Sequence, residues 1–197
     1  MRKIILCNMM TLDGYFEGLD QKIDWHQVDE EFNSFSEDQI NNVDAILFGR
    51  KTYDLMESYW TTAEALTNDP IIANLMNAKA KIVFSRTMTK AAWNNTRLIK
   101  DNILSEIEEL KRKPGKDLII FGSANLASTF RQLDLIDEYR IVINPVILGQ
   151  GNPLFKTSTE QLNLKLIKTT TFNSGNVLLY YEPNRDHKIM NHSNKTI

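Results

Sequence analysis

Apolar residues in this chain gather into short runs of strand length, at 3–8, 45–48, 81–85 and 118–121, rich in Ile, Val, Leu and Phe and without strict alternation. Runs of that kind suit strands covered on both faces, as in a parallel sheet. Between them, apolar positions recur at helical spacing over 30–40, 52–60, 103–111 and 124–133. The third of these is the clearest: Ile103, Ile107 and Leu110 share one face, Asp101 stands as a candidate N-cap, and Pro114-Gly115 closes it. Strand alternating with helix predicts an α/β sheet.

After Leu133 the rhythm changes. Segments 139–144, 164–172 and 177–182 read as strands with no helix between them, and Asn173-Ser174-Gly175-Asn176 reads as the turn of a hairpin. The chain is therefore expected to end in antiparallel strands added to a mostly parallel sheet. The pattern predicts one domain over residues 1–183, large enough to bury a core without staples, and a polar, aperiodic, flexible tail over 184–197.

Charge narrows the partners. With 23 Lys plus Arg against 25 Asp plus Glu, the net charge of −2 offers no broad attraction to nucleic acid or to an anionic membrane, which leaves a small molecule as the expected ligand. The N-terminal apolar stretch is too short for a signal sequence, and no segment approaches the ~20 apolar residues of a membrane helix, so a cytoplasmic protein is expected. The single cysteine, Cys7, lies within an apolar run and reads as a buried thiol. Three His and one Cys make no zinc set, and no metal is predicted.

Four stretches carry candidate chemistry. Gly49, Arg50, Lys51 and Thr52 follow a strand and open a helix, where unpaired N–H groups, two cations and a hydroxyl make a pyrophosphate seat; the same residues equally suit a solvated helix start. Ser85-Arg86 ends another strand and suits the 2′-phosphate that distinguishes NADP from NAD, or else begins a turn. Gly122-Ser123-Ala124-Asn125 is a small-residue entry to a helix, suited to close approach of a phosphate or to tight packing. In the fourth, Asp13, Glu17 and Asp24 lie beside Tyr15, Phe16 and Trp25, a mixture able to enclose a flat substrate and supply a proton, while Asp13-Gly14 also reads as a plain turn. His26 is expected at the surface or capping the next helix. Neither GxGxxG nor GxxxxGK[ST] is present.

Together these residues resemble the dihydrofolate reductase superfamily, in particular the branch of the C-terminal reductase domain of bacterial riboflavin biosynthesis. Phe48-Gly49-Arg50-Lys51-Thr52-Tyr53 is similar to the Gly-Arg-x-Thr-aromatic helix start of folate reductases, Val83-Phe84-Ser85-Arg86 to the segment that receives the 2′-phosphate, and Phe121-Gly122-Ser123-Ala124 to the family's Gly-Gly turn. Thr11-Leu12-Asp13-Gly14 resembles the branch's Ser-Leu-Asp-Gly loop. The most specific likeness is Leu135-Ile136-Asp137-Glu138 followed by Pro145-Val146-Ile147-Leu148-Gly149-Gln150-Gly151 and Pro153-Leu154-Phe155.

The resemblance spans residues 1–183 and implies a central, mostly parallel sheet flanked by helices, with a C-terminal antiparallel hairpin. It implies NADPH as cofactor, held by Gly49–Thr52, Ser85, Arg86 and Gly122–Asn125, with hydride transfer to a C=N or C=O of a small heterocycle; 5-amino-6-(5-phosphoribosylamino)uracil is the first substrate to consider. Asp13 is the expected catalytic acid, with Trp25 and Glu31 beside the substrate. A homodimer is implied, and the apolar residues from Ile141 to Leu148 suit either its face or the core. Two departures stand out: Ser123 replaces a glycine, which strains the turn if it needs positive φ, and the Asp-Asn-Pro stretch and later Arg that serve the ribose-phosphate substrate are replaced by residues 53–60. A different reading follows from those departures, in which the fold serves as a non-catalytic nucleotide-binding module or dimeric scaffold.

Overall fold

A computed structural model describes residues 1–155 and 161–185. Strand β1 (Ile4–Thr11) is buried along all eight of its residues, as its unbroken apolar run predicts. It pairs in parallel with β6 (Asp117–Phe121) on one side and β7 (Glu138–Asn144) on the other. Beyond β6 lie β3 (Val43–Gly49), β4 (Ala80–Phe84) and β5 (Thr96–Ile99), all parallel. Beyond β7 lies β10 (Val177–Pro183), antiparallel to it, and then β9 (Leu164–Thr171), antiparallel to β10. The eight-stranded order is β5-β4-β3-β6-β1-β7-β10-β9. The expected hairpin is present, with Gly175 at φ 84° in its turn. Of the expected tail, residues 186–197 lie outside the described residues.

Helices cover both faces: α1 (Glu30–Asn41), α2 (Arg50–Trp60), α3 (Ala63–Asn68) and α4 (Pro70–Ala78) come before β4, and α5 (Ile103–Arg112) and α6 (Ala124–Gln132) flank β6 in sequence. Alternate residues of each strand feed different layers. Ile4 and Leu6 join Leu47, Ile120, Ile107 of α5 and Phe130 of α6, whereas Ile5 and Cys7 join Ile46, Phe48, Tyr53 of α2 and Met76 of α4. Each fully buried Ile or Leu contributes about 1.5–3 kcal/mol relative to exposure. Burial pushes the Cys7 thiol up to about 12, which leaves it an inert core residue.

Two polar anchors inside this frame account for sequence features of uneven visibility. Asp137, from the Leu-Ile-Asp-Glu block, accepts the Ile4 N–H at 2.9 Å and the Lys111 ammonium at 2.6 Å, tying β1 to α5. Lys81 is buried, and its Nζ donates to the carbonyls of Met76, Asn77 and Lys79 at 2.9, 3.2 and 2.7 Å, 4.4 Å above the Trp93 ring. It thus terminates α4 as a cation at the negative end of a helix.

The structure departs from expectation at several points. Over 63–78, where the sequence pattern predicts no element, the structure has the short helices α3 and α4, and β5 is a four-residue edge strand with only Leu98 and Ile99 apolar. At the start of α5 the N-cap is Asn102, left-handed at φ 52°, and Asp101 accepts a bond from its side chain instead of capping the helix. Of the two readings open for residues 141–148, core holds for Ile141 and Val142, while Ile147 is exposed.

His26 is half-buried and is not a cap: Asp29 caps α1 by accepting the Phe32 N–H at 2.8 Å, and the His26 ring stands edge-on to Trp25 at 4.4 Å with Nε2 enclosed. Burial pushes its imidazole down to about 4, from an ordinary value of 6.5. Between those values the unfolded chain binds a proton that the folded chain refuses, so stability falls as pH drops from 6.5 towards 4, by about 2–3 kcal/mol for a shift of this size. Urea unfolding at pH 7 and pH 4.5 is expected to show a smaller acid loss in His26→Gln than in the native chain; an identical loss in both would contradict this assignment.

Candidate functional site

Because β3 and β6 are neighbours in the sheet, the helices that follow them begin side by side. Strand β3 ends at Gly49, φ −80°, and α2 starts at Arg50 with neither a side-chain cap nor an acidic residue in its first turn. Strand β6 runs through Gly122 and Ser123, both left-handed at φ 64° and 66°, into α6, whose first turn likewise has no side-chain cap and no acid. The Gly49 N–H donates to Ser123 Oγ at 2.9 Å, and the Gly122 N–H donates to Asn8 Oδ1 at 2.8 Å. A Cβ on Gly122 would stand 3.0 Å from Thr52 Cγ2, so this position needs glycine both for φ and for room. Ser123 bears the left-handed conformation at a cost of about 1–2 kcal/mol, and its hydroxyl fastens one helix start to the other.

These two starts open onto a cleft of about 490 Å³. Nine of the ten residues expected at a cofactor line it: Gly49, Arg50, Lys51 and Thr52, then Ser85 and Arg86, then Ser123, Ala124 and Asn125. Gly122 supports them from below through its contact with Thr52. The Arg50 guanidinium donates to Thr87 Oγ1 at 3.0 Å and lies 3.5 Å from Asp54. Ser85 Oγ accepts the N–H groups of Thr87 and Met88 at 3.3 and 3.1 Å, so Ser85 does begin a turn and lines the cleft as well. Among the described residues Lys51, Arg86 and Lys100 enter no ion pair. Lys100 escaped the sequence reading, although its signal was available: it directly follows β5, at the level where Ser85 follows β4.

A two-stranded ribbon closes the other end. Strand β2 (Tyr15–Glu17) pairs antiparallel with β8 (Asn152–Pro153), and Phe16, Glu17, Asn152 and Pro153 all line the cleft. Asn152 Nδ2 donates to Glu17 Oε1 at 2.8 Å and to the Gly18 carbonyl at 3.2 Å. Gly151 lets the ribbon close, since a Cβ there would meet the Glu17 carbonyl oxygen at 2.5 Å.

Asp13, Trp25 and Glu31 do not line this cleft. Asp13 accepts the backbone N–H groups of Leu148 and Gly149 at 3.2 and 2.8 Å; hydrogen bonding from the Thr11 hydroxyl first, and then from these amides, holds its carboxyl below the usual range. It thereby braces the Thr-Leu-Asp-Gly loop against the Pro-x-x-Leu-Gly segment. Trp25 packs with Phe32 and Phe35 against the cluster of Met9, Val142 and Phe172, its Nε1 enclosed without a partner. Glu31 accepts from the Asn173 backbone and side-chain amides at 2.6 and 2.9 Å, pinning α1 to the hairpin turn.

The match to the family model described as the RibD C-terminal domain runs over residues 2–178. The chain belongs to the RibD C-terminal domain family. The chain is 42% identical over 183 residues to the uncharacterized protein YyaP of Bacillus subtilis (strain 168), covering 93% of this chain and 96% of that one. It is also similar to the crystal structure of a putative riboflavin biosynthesis protein from Shewanella sp. PV-4, with a TM-score of 0.73, 26% identity, and coverage of 94% and 100% of the two chains. Dihydrofolate reductase from Enterococcus faecalis, solved as a complex with NADP(H), shares the fold with a TM-score of 0.63 at 12% identity, over 92% and 96% of the chains. The family is one of dihydrofolate-reductase-like reductase domains, and the α/β architecture described above is theirs.

Substitutions at Ser123 separate its two roles. Ser123→Ala keeps the unfavourable φ and strips the Gly49 N–H of its acceptor, with an expected loss of about 1–3 kcal/mol. Ser123→Gly loses the same acceptor but relieves the backbone, so its urea midpoint is expected between those of Ala and native. An Ala variant as stable as the Gly variant would remove the case for strain.

Proposed function

We propose that this protein is an NADPH-dependent reductase acting on a C=N or C=O of a small heterocyclic substrate, with reduction of 5-amino-6-(5-phosphoribosylamino)uracil as the first reaction to test. The observation that carries this is the pair of acid-free, uncapped helix starts fastened together at the C-terminal ends of β3 and β6, which is where open α/β sheets take their ligands. Orphan N–H groups and aligned helix dipoles at both starts fit a pyrophosphate. The set Arg50, Lys51, Arg86 and Lys100 fits the further negative charge of a 2′-phosphate.

Bound in this cleft, NADPH would supply hydride to the substrate. The protein's own residues then divide the work. Gly49–Thr52 and Ser123–Asn125 bind the diphosphate, Ser85 and Arg86 with Lys100 bind the phosphorylated ribose, and Phe16 with the β2–β8 ribbon covers the far end and limits water. The placement of Asp13, Trp25 and Glu31 away from the cleft favours a second reading, a nucleotide-binding module without turnover. Saturable NADPH binding with no oxidation across a panel of heterocyclic imines and carbonyls would select it.

The homodimer belongs to this proposal too, with its face moved. On the outer strand β9, Leu164, Leu166 and Ile167 are 38%, 49% and 48% exposed, an apolar edge that a second copy would cover. Light scattering is expected to give a dimer for the native chain and a monomer for Leu166→Glu; a monomeric native chain would refute the pairing.

Arg86→Ala is expected to weaken NADPH binding by about 1–3 kcal/mol, the worth of a hydrogen bond to a charged group, while leaving NADH nearly unchanged. Calorimetric titration of both dinucleotides measures the difference. Equal effects on the two would sink the role of Arg86 in choosing NADP.

A further inference from the structure

Glu17 is the only acidic side chain among the described residues lining the cleft. Its position follows from the order of the strands. Lys100 follows β5 and Arg86 follows β4, at one edge; the two helix starts follow β3 and β6, in the middle; and Glu17 lies in β2, the strand that follows β1. The cleft is therefore polarised along its length, with its cations after β5, β4 and β3 and its one carboxylate at the opposite end, in the strand that follows β1.

That carboxylate is placed, not free to swing. Asn152 Nδ2 donates to Glu17 Oε1 at 2.8 Å and to the neighbouring Gly18 carbonyl at 3.2 Å, and Gly151 allows the two backbones to approach closely enough for both bonds. A ligand with its phosphates at the cations and helix starts presents its remaining end to Glu17. On the NADPH reading, on which this inference rests, that end is the nicotinamide, whose ring is cationic in the oxidised form and neutral in the reduced form.

We propose that Glu17 sets the preference of this cleft between the two redox forms, tightening its hold on NADP⁺ relative to NADPH through the negative charge it holds beside the ring. A charge in a partly enclosed cleft is less screened than one on an open surface. Fixed by Asn152, Glu17 exerts its effect without having to reorganise. The asymmetry also orients the ligand, since reversal would bring the phosphates to the carboxylate.

Glu17→Gln tests this, because glutamine keeps an oxygen for the Asn152 amide and removes only the charge. Native and variant chains are titrated calorimetrically with NADP⁺, NADPH and adenosine 2′,5′-bisphosphate, which lacks the nicotinamide end. The variant is expected to bind NADP⁺ about 5–20-fold more weakly and the other two within about twofold of native, on the scale of a single partly screened charge pair. Bisphosphate binding at native strength also reports that the variant is folded. An unchanged ratio of NADP⁺ to NADPH affinity, with the bisphosphate still bound, overturns the role of Glu17 and leaves the cofactor assignment standing. Failure of all three ligands to bind the native chain overturns the cofactor assignment itself, and this inference with it.

Discussion

The hydrogen bond from the Gly49 N–H to Ser123 Oγ joins two segments 74 positions apart, and the character of the cleft depends on it. Strands β3 and β6 are neighbours through their parallel pairing and through core packing, since Leu47, Leu118 and Ile120 share one buried layer. Adjacent parallel strands bring their following helices to one edge, but adjacency leaves the helix starts free to splay. The Ser123 hydroxyl, spent on Gly49 and not on capping its own helix, draws them together. Both first turns then retain unsatisfied N–H groups, a costly condition in a closed interior and a useful one in an open cleft. The left-handed pair Gly122-Ser123 makes this geometry reachable, because it turns the chain sharply enough for Thr52 to pack against Gly122.

What could be read from the sequence follows from how far apart the interacting residues stand. Strands β1, β3, β4, β6, β7, β9 and β10 and helices α1, α2, α5 and α6 carry their own apolar signal, and their bounds were legible within a residue or two, save that β1 runs three residues further, to Thr11, than its apolar run. The residues that line the cleft were legible for the same reason: a strand end and the segment that follows it are one local pattern, and the cleft collects three such patterns. Lys100 was missed because its strand has only two apolar residues and sits at the sheet edge, where one neighbour suffices.

The roles of Asp13 and Glu17 were not legible, because each has a partner about two-thirds of the chain away. Nothing near Asp13 announces that Leu148 and Gly149 will present their amides to it. Likewise Glu17 acquires a fixed position only when Asn152 arrives. A carboxylate in a glycine-containing loop looks the same in sequence whether it faces a ligand or braces a distant turn. Here the two motifs that carry the family resemblance, the Thr-Leu-Asp-Gly loop and the Pro-x-x-Leu-Gly-x-Gly segment, turn out to be two halves of one joint. Trp25 and Glu31 tell the same story on the other side of β7, where a hairpin formed near the end of the chain settles what they touch.

The closure of the β2–β8 ribbon also governs when the chain acquires its cleft during synthesis. Strand β1 leaves the ribosome first, yet its sheet neighbours β6 and β7 begin at Asp117 and Glu138, and Asn152 comes later still. A nascent chain that has made α2 and its cations has neither the second helix start nor the ribbon, so it offers a ligand no enclosure. Pairings that span so much sequence carry the largest loop-closure entropy and form late. A ligand that binds the finished cleft therefore selects molecules in which Asn152 has been made and the ribbon threaded. It adds its binding free energy to those long-range contacts, the ones the chain would otherwise be slowest to secure.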